Sequence, residues 1–247
     1  MEATETSVTG AGTSIGGMRR IAAIATMASR IETFQKVLPV IRAQVDHVYI
    51  YLDGYSTAPA FLAGLDRITV QRAEDVGNLH ASSRFLCLRD LTAPAVVAMV
   101  DDDIIYPPDY VDRLVGALQR LEGNAVVGVH GRVFTPPHQS YVRNTTVLHF
   151  MRQLAQPCHV HVLGSGTCAF VSNMLDVDPR KWSRYDMDDI YVAIEAQQRG
   201  LPRIAVARAE GWLKPYAEGQ PDSVWAKTLV DESAHSRAMR ELLRLYT

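Results

Sequence analysis

The chain is poor in several things, and each shortage excludes something. It has three cysteines in 247 residues, Cys87, Cys158 and Cys168. None forms a CxxC pair or a zinc spacing, so they read as thiols of a reducing compartment. Nowhere does an apolar run reach the ~18 residues of a membrane span. The N-terminal stretch also lacks the apolar segment of a signal peptide, so the expected location is cytoplasmic. There is no excess of basic charge: 25 Lys+Arg stand against 27 Asp+Glu, a net charge of −2. A basic stripe for nucleic acid is therefore not expected. What remains is 47% hydrophobic, enough for one large core.

The apolar residues are arranged as short runs alternating with helical spacing. Ile21–Thr26, His47–Leu52, Ile68–Val70, Val96–Val100, Ala125–His130, Val160–Leu163, Cys168–Val171 and Ile204–Val206 read as strands. Helices are expected from Ile31 to about Ala43 (capped by Ser29), Ala81 to Leu91, Pro108 to Leu121, Asp186 to Arg199 and Val224 to Leu245. This alternation predicts an α/β fold with a mostly parallel central sheet flanked by helices. Residues 1–17 are small and polar and read as a disordered tail. Gly10-Ala11-Gly12 with Gly16 imitates a dinucleotide fingerprint but does not follow a strand, so it is set aside.

One stretch carries chemistry on its face. Val96-Val97-Ala98-Met99-Val100 runs straight into Asp101-Asp102-Asp103. A strand buried on both faces would end there, and ligands in open α/β sheets bind at such ends. Three carboxylates together call for a hard cation, Mg²⁺ or Mn²⁺, completed by substrate phosphates. The alternative is a solvated acidic turn capping the helix that follows Pro107-Pro108. A second acidic pair, Asp188-Asp189, opens a helix that Gly200 stops. It could supply a general base, or simply favour the helix dipole. His159 and His161 are expected to share one strand face, with no third ligand in sequence. Gly164-Ser165-Gly166-Thr167 lacks the lysine of a P-loop.

In this order the motifs resemble the GT-A-fold nucleotide-sugar glycosyltransferases, most closely the inverting family two. Thr26 to Arg30 lies after the first strand, Asp53-Gly54 ends the second, Asp101–Asp103 is similar to the DXD motif, and Asp188-Asp189-Ile190 resembles the Glu-Asp motif. The resemblance covers roughly residues 18–212, with a nucleotide-binding half (18–130), an acceptor half (131–223) and a C-terminal helix (224–247). It implies a single GT-A-like domain and metal-dependent transfer of a sugar from a nucleotide donor to a hydroxyl, with inversion, in bacterial-type glycan synthesis. Asp103 would ligate Mn²⁺ or Mg²⁺, Asp101 would contact ribose or the metal through water, and Asp102 would do one or the other. Asp189, with Asp188 as second choice, would be the base. Thr26, Arg30, Asp53, Arg84 and Gly166 would line the donor. The implied partners are a UDP- or GDP-linked donor and a glycan, lipid-linked or small-molecule acceptor, not nucleic acid.

The departures matter as well. Asp188 stands where the family has Glu, and Gly211-Trp212-Leu213-Lys214 contains no histidine where some members place a metal ligand. His235 is the one later histidine available for that role. The C-terminal helix could dock on the core, on a second copy in a homodimer, or on an anionic membrane surface. A sugar-phosphate nucleotidyltransferase is an alternative, but Thr26-Met27-Ala28-Ser29-Arg30 lacks that class's glycine-rich loop. A non-catalytic cation- or nucleotide-binding module is another.

Overall fold

The computed structural model describes residues 14–216 and 228–246. The strands, in chain order, are β1 (Arg20–Met27), β2 (His47–Asp53), β3 (Ile68–Arg72), β4 (Val96–Val100), β5 (Ile104–Ile105), β6 (Val126–Gly128), β7 (Gly131–Phe134), β8 (Thr145–Leu148), β9 (Cys158–His159), β10 (Val162–Leu163), β11 (Thr167–Val171), β12 (Arg203–Ala205) and β13 (Lys214–Pro215). The longer helices are α1 (Ile31–Arg42), α2 (Tyr110–Arg120), α3 (Asp188–Gln198) and α4 (Ser233–Arg244).

Eight strands form the main sheet in the order β3-β2-β1-β4-β11-β6-β12-β9. The β3-β2-β1-β4 half is wholly parallel, and β12 pairs parallel with β6. β11 enters antiparallel between β4 and β6, and β9 is antiparallel on the edge. Period-two alternation assigns the two faces. Ala22, Ile24, Ala98 and Val100 pack with Phe34, Val37, Leu38 and Ile41 of α1 and with Leu114 and Leu118 of α2. Ile21, Ala23, Val97 and Met99 pack on the opposite face with Phe85, Cys87, Val192 and Ala196. β4 therefore has every residue buried, as its unbroken apolar run requires.

Several expectations are corrected. Residues 15–17 form a single 3-10 turn rather than tail, and Ile15 packs on the α1/α2 side of the core. Residues 1–13, with the Gly10-Ala11-Gly12 pseudo-motif, lie outside the described residues, as do 224–227 at the expected start of the last helix. The cap residue of α1 is Arg30 instead of Ser29. The helix expected over Ala81–Leu91 is a 3-10 segment, His80–Leu86, followed by one α-turn, Cys87–Asp90. Tertiary bonds explain this: Ser82 Oγ donates to Tyr185 O and Arg84 Nη1 to Val100 O, while Ser83 Oγ turns back to His80 O. Residues 131–156, weak in pattern, hold β7 and β8, which with β10 form a separate three-stranded sheet. His159 and His161 do not share a strand. His159 sits in β9 on the main sheet, whereas His161 has left it, with its Nδ1 accepting from Phe134 N.

α4 carries a steep apolar face. Ala238, Met239 and Leu242 are buried with Ile190, Ala193 and Ile194 of α3, Phe134 and Val162. Among the described residues no helix is long and apolar enough to cross a membrane.

Candidate active site

Parallel strands present their carboxyl ends at one edge of the sheet. The register sets Met27 beside Asp53 and Ile24 beside Val100. Arg30, Asp53 and the Asp101–Asp103 run therefore emerge together. β11 runs the other way, with Thr167 opposite Val100, so the turn before it meets the aspartates. Thr167 N bonds to Gly164 O at 3.0 Å, closing a tight turn. At its tip Gly166 lies against Asp101: a Cβ there would stand 1.8 Å from Asp101 Oδ2. Only glycine allows that approach. Tyr106 ties the loop and strand end together. Its hydroxyl accepts from Asp101 N at 2.9 Å and donates to Gly166 O at 2.6 Å.

The centre is Arg84. Its side chain is 4% exposed and its guanidinium reaches four acceptors. Nη1 donates to Val100 O (3.1 Å) and Asp101 Oδ1 (2.7 Å), Nη2 to Ser165 Oγ (3.1 Å) and Asp188 Oδ2 (3.1 Å). Burial alone would weaken its hold on the proton, but Asp101 and Asp188 outweigh this and its pKa is raised. One buried cation thus joins the end of β4, the Gly164–Gly166 turn and the head of α3.

The second cation is Arg30, whose Nη1 stands 2.7 Å from Asp103 Oδ2 and 3.4 Å from Asp102 Oδ1. Burial pushes the Asp102 carboxyl up, against Thr26 and Arg30, which pull it down. Asp103 is pushed up to about 7, by burial first and then by the charge of Asp101. The aspartates do not cap the following helix, which is headed by Asp109.

At the head of α3 the two acids divide. Asp188 faces Arg84. Asp189 faces the buried Tyr141, whose hydroxyl donates to its Oδ2 at 3.3 Å. Each also accepts a backbone N–H of the first turn, Asp188 from Asp189 N and Asp189 from Ile190 N. The helix-terminus reading is therefore right as far as it goes, and the Arg84 and Tyr141 contacts add to it. Burial, then the charge of Asp188, pushes Asp189 up to about 6. Arg132 stacks over the Tyr141 ring at 4.9 Å and lends a positive charge to that side.

Asp53 is held by His80 Nδ1 at 2.9 Å and is followed by Gly54 at φ +68°, a turn as its Asp-Gly sequence suggests. His235 does not join the aspartate run. It is buried on α4 against the Tyr141 ring, 5.1 Å away, where burial lowers its pKa and Asp186 opposes that. Among the described residues no three His, Cys, Asp or Glu side chains converge into a ready metal cage. The donor set at Asp101–Asp103 nonetheless suits a hard cation: oxygen donors with excess negative charge, one of them raised to about 7 by burial and then by the neighbouring Asp101 charge. Mg²⁺-type sites take one or two carboxylates and leave the rest of the shell to water and phosphate.

Tyr106, Tyr141 and Arg132 were not legible as site residues. Tyr141 lies 48 residues from Asp189, while Tyr106 and Arg132 lie near the groups they touch, Asp101 and Tyr141, but no periodicity marks them.

No family model matches the chain, and no curated protein matches it. Solved structures do. Glucosyl-3-phosphoglycerate synthase from Mycobacterium tuberculosis, with Mn²⁺, uridine diphosphate and glucosyl-3-phosphoglycerate, is similar over 98% of this chain and 85% of its own, at 16% identity and a TM-score of 0.53. With Mn²⁺, UDP-glucose and phosphoglyceric acid, the same enzyme gives a TM-score of 0.57 at 15% identity, over 98% of this chain and 84% of its own. A mycobacterial protein matches at 0.56 and 16%, over 93% of this chain and 75% of its own.

The fold is GT-A. The expected α/β architecture with a mostly parallel sheet thus holds, and the antiparallel β11 that brings Gly166 onto the aspartates is added by the structure.

Proposed function

We propose that this GT-A chain is a metal-dependent glycosyltransferase that moves a sugar from a nucleotide-sugar donor to an acceptor hydroxyl with inversion. The observation that carries the reading is the single buried guanidinium of Arg84 holding Asp101 and Asp188 at once. It sets a phosphate-side acidic motif and a base-side acidic motif at one fixed spacing. A plain binding module has no need of that second motif, and a nucleotidyltransferase would call for the glycine-rich loop that Thr26-Met27-Ala28-Ser29-Arg30 lacks.

Asp103, with Asp101, would hold Mn²⁺ or Mg²⁺. The ion would supply Lewis-acid neutralisation of the departing diphosphate. Arg30 and Thr26 would line the donor phosphates and nucleoside, Asp53 the base, and Gly166 the space under the donor sugar. Asp189 takes the proton of the acceptor hydroxyl as that oxygen bonds to the anomeric carbon and the bond to the diphosphate breaks with its electron pair. A pKa of about 6 lets it be ionised near neutrality yet still basic. Tyr141 orients it. Asp188, committed to Arg84, is the weaker candidate.

The solved neighbours were captured with UDP and with phosphoglyceric acid. A UDP-linked donor is therefore the first choice over a GDP-linked one. Arg132 beside Tyr141 favours a small acidic acceptor over a neutral glycan. The apolar face of α4 is spent on the core, so neither membrane docking nor a dimer through it forms part of the proposal. Cytoplasmic action on soluble substrates is the accompanying reading.

The test is calorimetric titration of UDP, GDP and CDP, each with Mn²⁺ and with EDTA, on the native chain and Asp103→Ala. Metal-dependent binding of one diphosphate, lost in the variant, is expected. Binding indifferent to metal and to Asp103 overturns the reading.

A further inference from the structure

Each aspartate of the Asp101–Asp103 run already holds a guanidinium. Arg84 serves Asp101, and Arg30 serves Asp103 and more loosely Asp102. Arg84 is anchored by Val100 O, Ser165 and Asp188 as well as by the run. Arg30 stands where a 3-10 turn passes into α1, and both of its bonds to the run come from Nη1. Asp103 is also the more accessible partner, 25% exposed against 5% for Asp102.

We infer that Arg30 is the resident counter-ion of this run and gives way when a divalent cation takes Asp103. The inference rests on the metal-dependent reading above. A guanidinium at 2.7 Å and a metal ion at ~2.1 Å compete for the same carboxylate, and the two positive charges repel at that spacing. The displaced guanidinium stays tethered to the start of α1, beside the phosphates that complete the ion's shell. Its planar fork suits a phosphate bidentately. The cation alone therefore binds weakly, because it must break an ion pair. With a nucleoside diphosphate it binds well, because Arg30 gains a new anion. Linkage makes the effect reciprocal: metal and diphosphate each strengthen the other.

Free Mn²⁺ is followed by its electron paramagnetic resonance signal, with and without UDP, for the native chain, Arg30→Gln and Arg30→Lys, each checked for folding by circular dichroism. Arg30→Gln is expected to bind Mn²⁺ alone about tenfold more tightly, and the gain from added UDP should shrink by about the same factor. Arg30→Lys, which keeps the charge, should remain weak alone. In the native chain, side-chain NMR of the arginines should show the Arg30 Nη signals move on joint addition of Mg²⁺ and UDP while those of Arg84 stay. This needs no folded Gln variant. If the native chain binds Mn²⁺ with UDP but Arg30→Gln holds Mn²⁺ alone no more tightly, or the Arg30 signals do not move, the inference falls by itself. If neither chain binds Mn²⁺ under any condition, the functional reading falls and takes this with it.

Discussion

Arg84 Nη2 donates to Asp188 Oδ2 at 3.1 Å across 104 residues of sequence, while the other arm of the same guanidinium holds Asp101. Arg84 was expected at the donor diphosphate. It is instead buried and committed to the protein, a positioning residue between the two acidic motifs.

Replacing it tests that role. Arg84→Lys keeps one charge but loses the fork, so four acceptors share three donors with the wrong geometry. Arg84→Ala leaves Asp188 buried and unpaired, which should cost about 3 kcal/mol, the low end because Asp101 can still turn to water. Folding is read from denaturant midpoints. The readout that a merely structural role would not move is the split between kcat and KM. With the head of α3 no longer tied to the end of β4, kcat should fall in the Lys variant while KM for the donor changes little.

Asp189 gives a prediction with two opposite signs. As the base it must be ionised, so kcat/KM should fall as pH drops through about 6. Asp189→Asn should remove most activity. Its folded pKa lies above the ordinary 3.8, so the folded state disfavours the charge. That cost to stability is absent below the unfolded value and complete above about 6. Asp189→Asn should therefore melt higher than the native chain at about pH 8 and lose the advantage at about pH 4. Tyr141→Phe removes the hydroxyl that steadies the carboxylate and should move the acid limb to higher pH.

Gly166→Ala tests the approach of the loop to Asp101. The added methyl would fall 1.8 Å from Oδ2 and 1.9 Å from Cγ of Asp101, so the carboxylate must swing away from Arg84. Because the obstacle is a side-chain end and no backbone, the fold should survive with a loss of about 1–2 kcal/mol. Misplacing one carboxylate should still lower kcat by about 100-fold. A variant as active as the native chain would show that Asp101 need not stay where Gly166 admits it.

Local pattern was sufficient for most of the scaffold. The unbroken apolar run of Val96–Val100 demanded a strand buried on both faces, and β4 is one. The alternation over residues 20–130 gave β1 to β4, α1 and α2 at nearly their observed bounds. The acidic runs were legible because carboxylates directly after apolar strands, or at helix starts, need a reason. Three things had no local signature. The Ala81–Leu91 segment has helical composition, yet Arg84 and the serine at 82 are drawn to partners 16 and 103 residues away, and those bonds fix a 3-10 pitch. His159 and His161 look like one strand face, yet the chain changes sheets between them. The pairing of Arg84 with Asp188, of Tyr141 with Asp189 and of Gly166 with Asp101 arises because β11 enters antiparallel and α3 packs behind it. Sequence by itself determined which residues carry charge at strand and helix ends. Tertiary structure decided which of those charges meet, because burial leaves each one to the few partners the sheet order puts within reach.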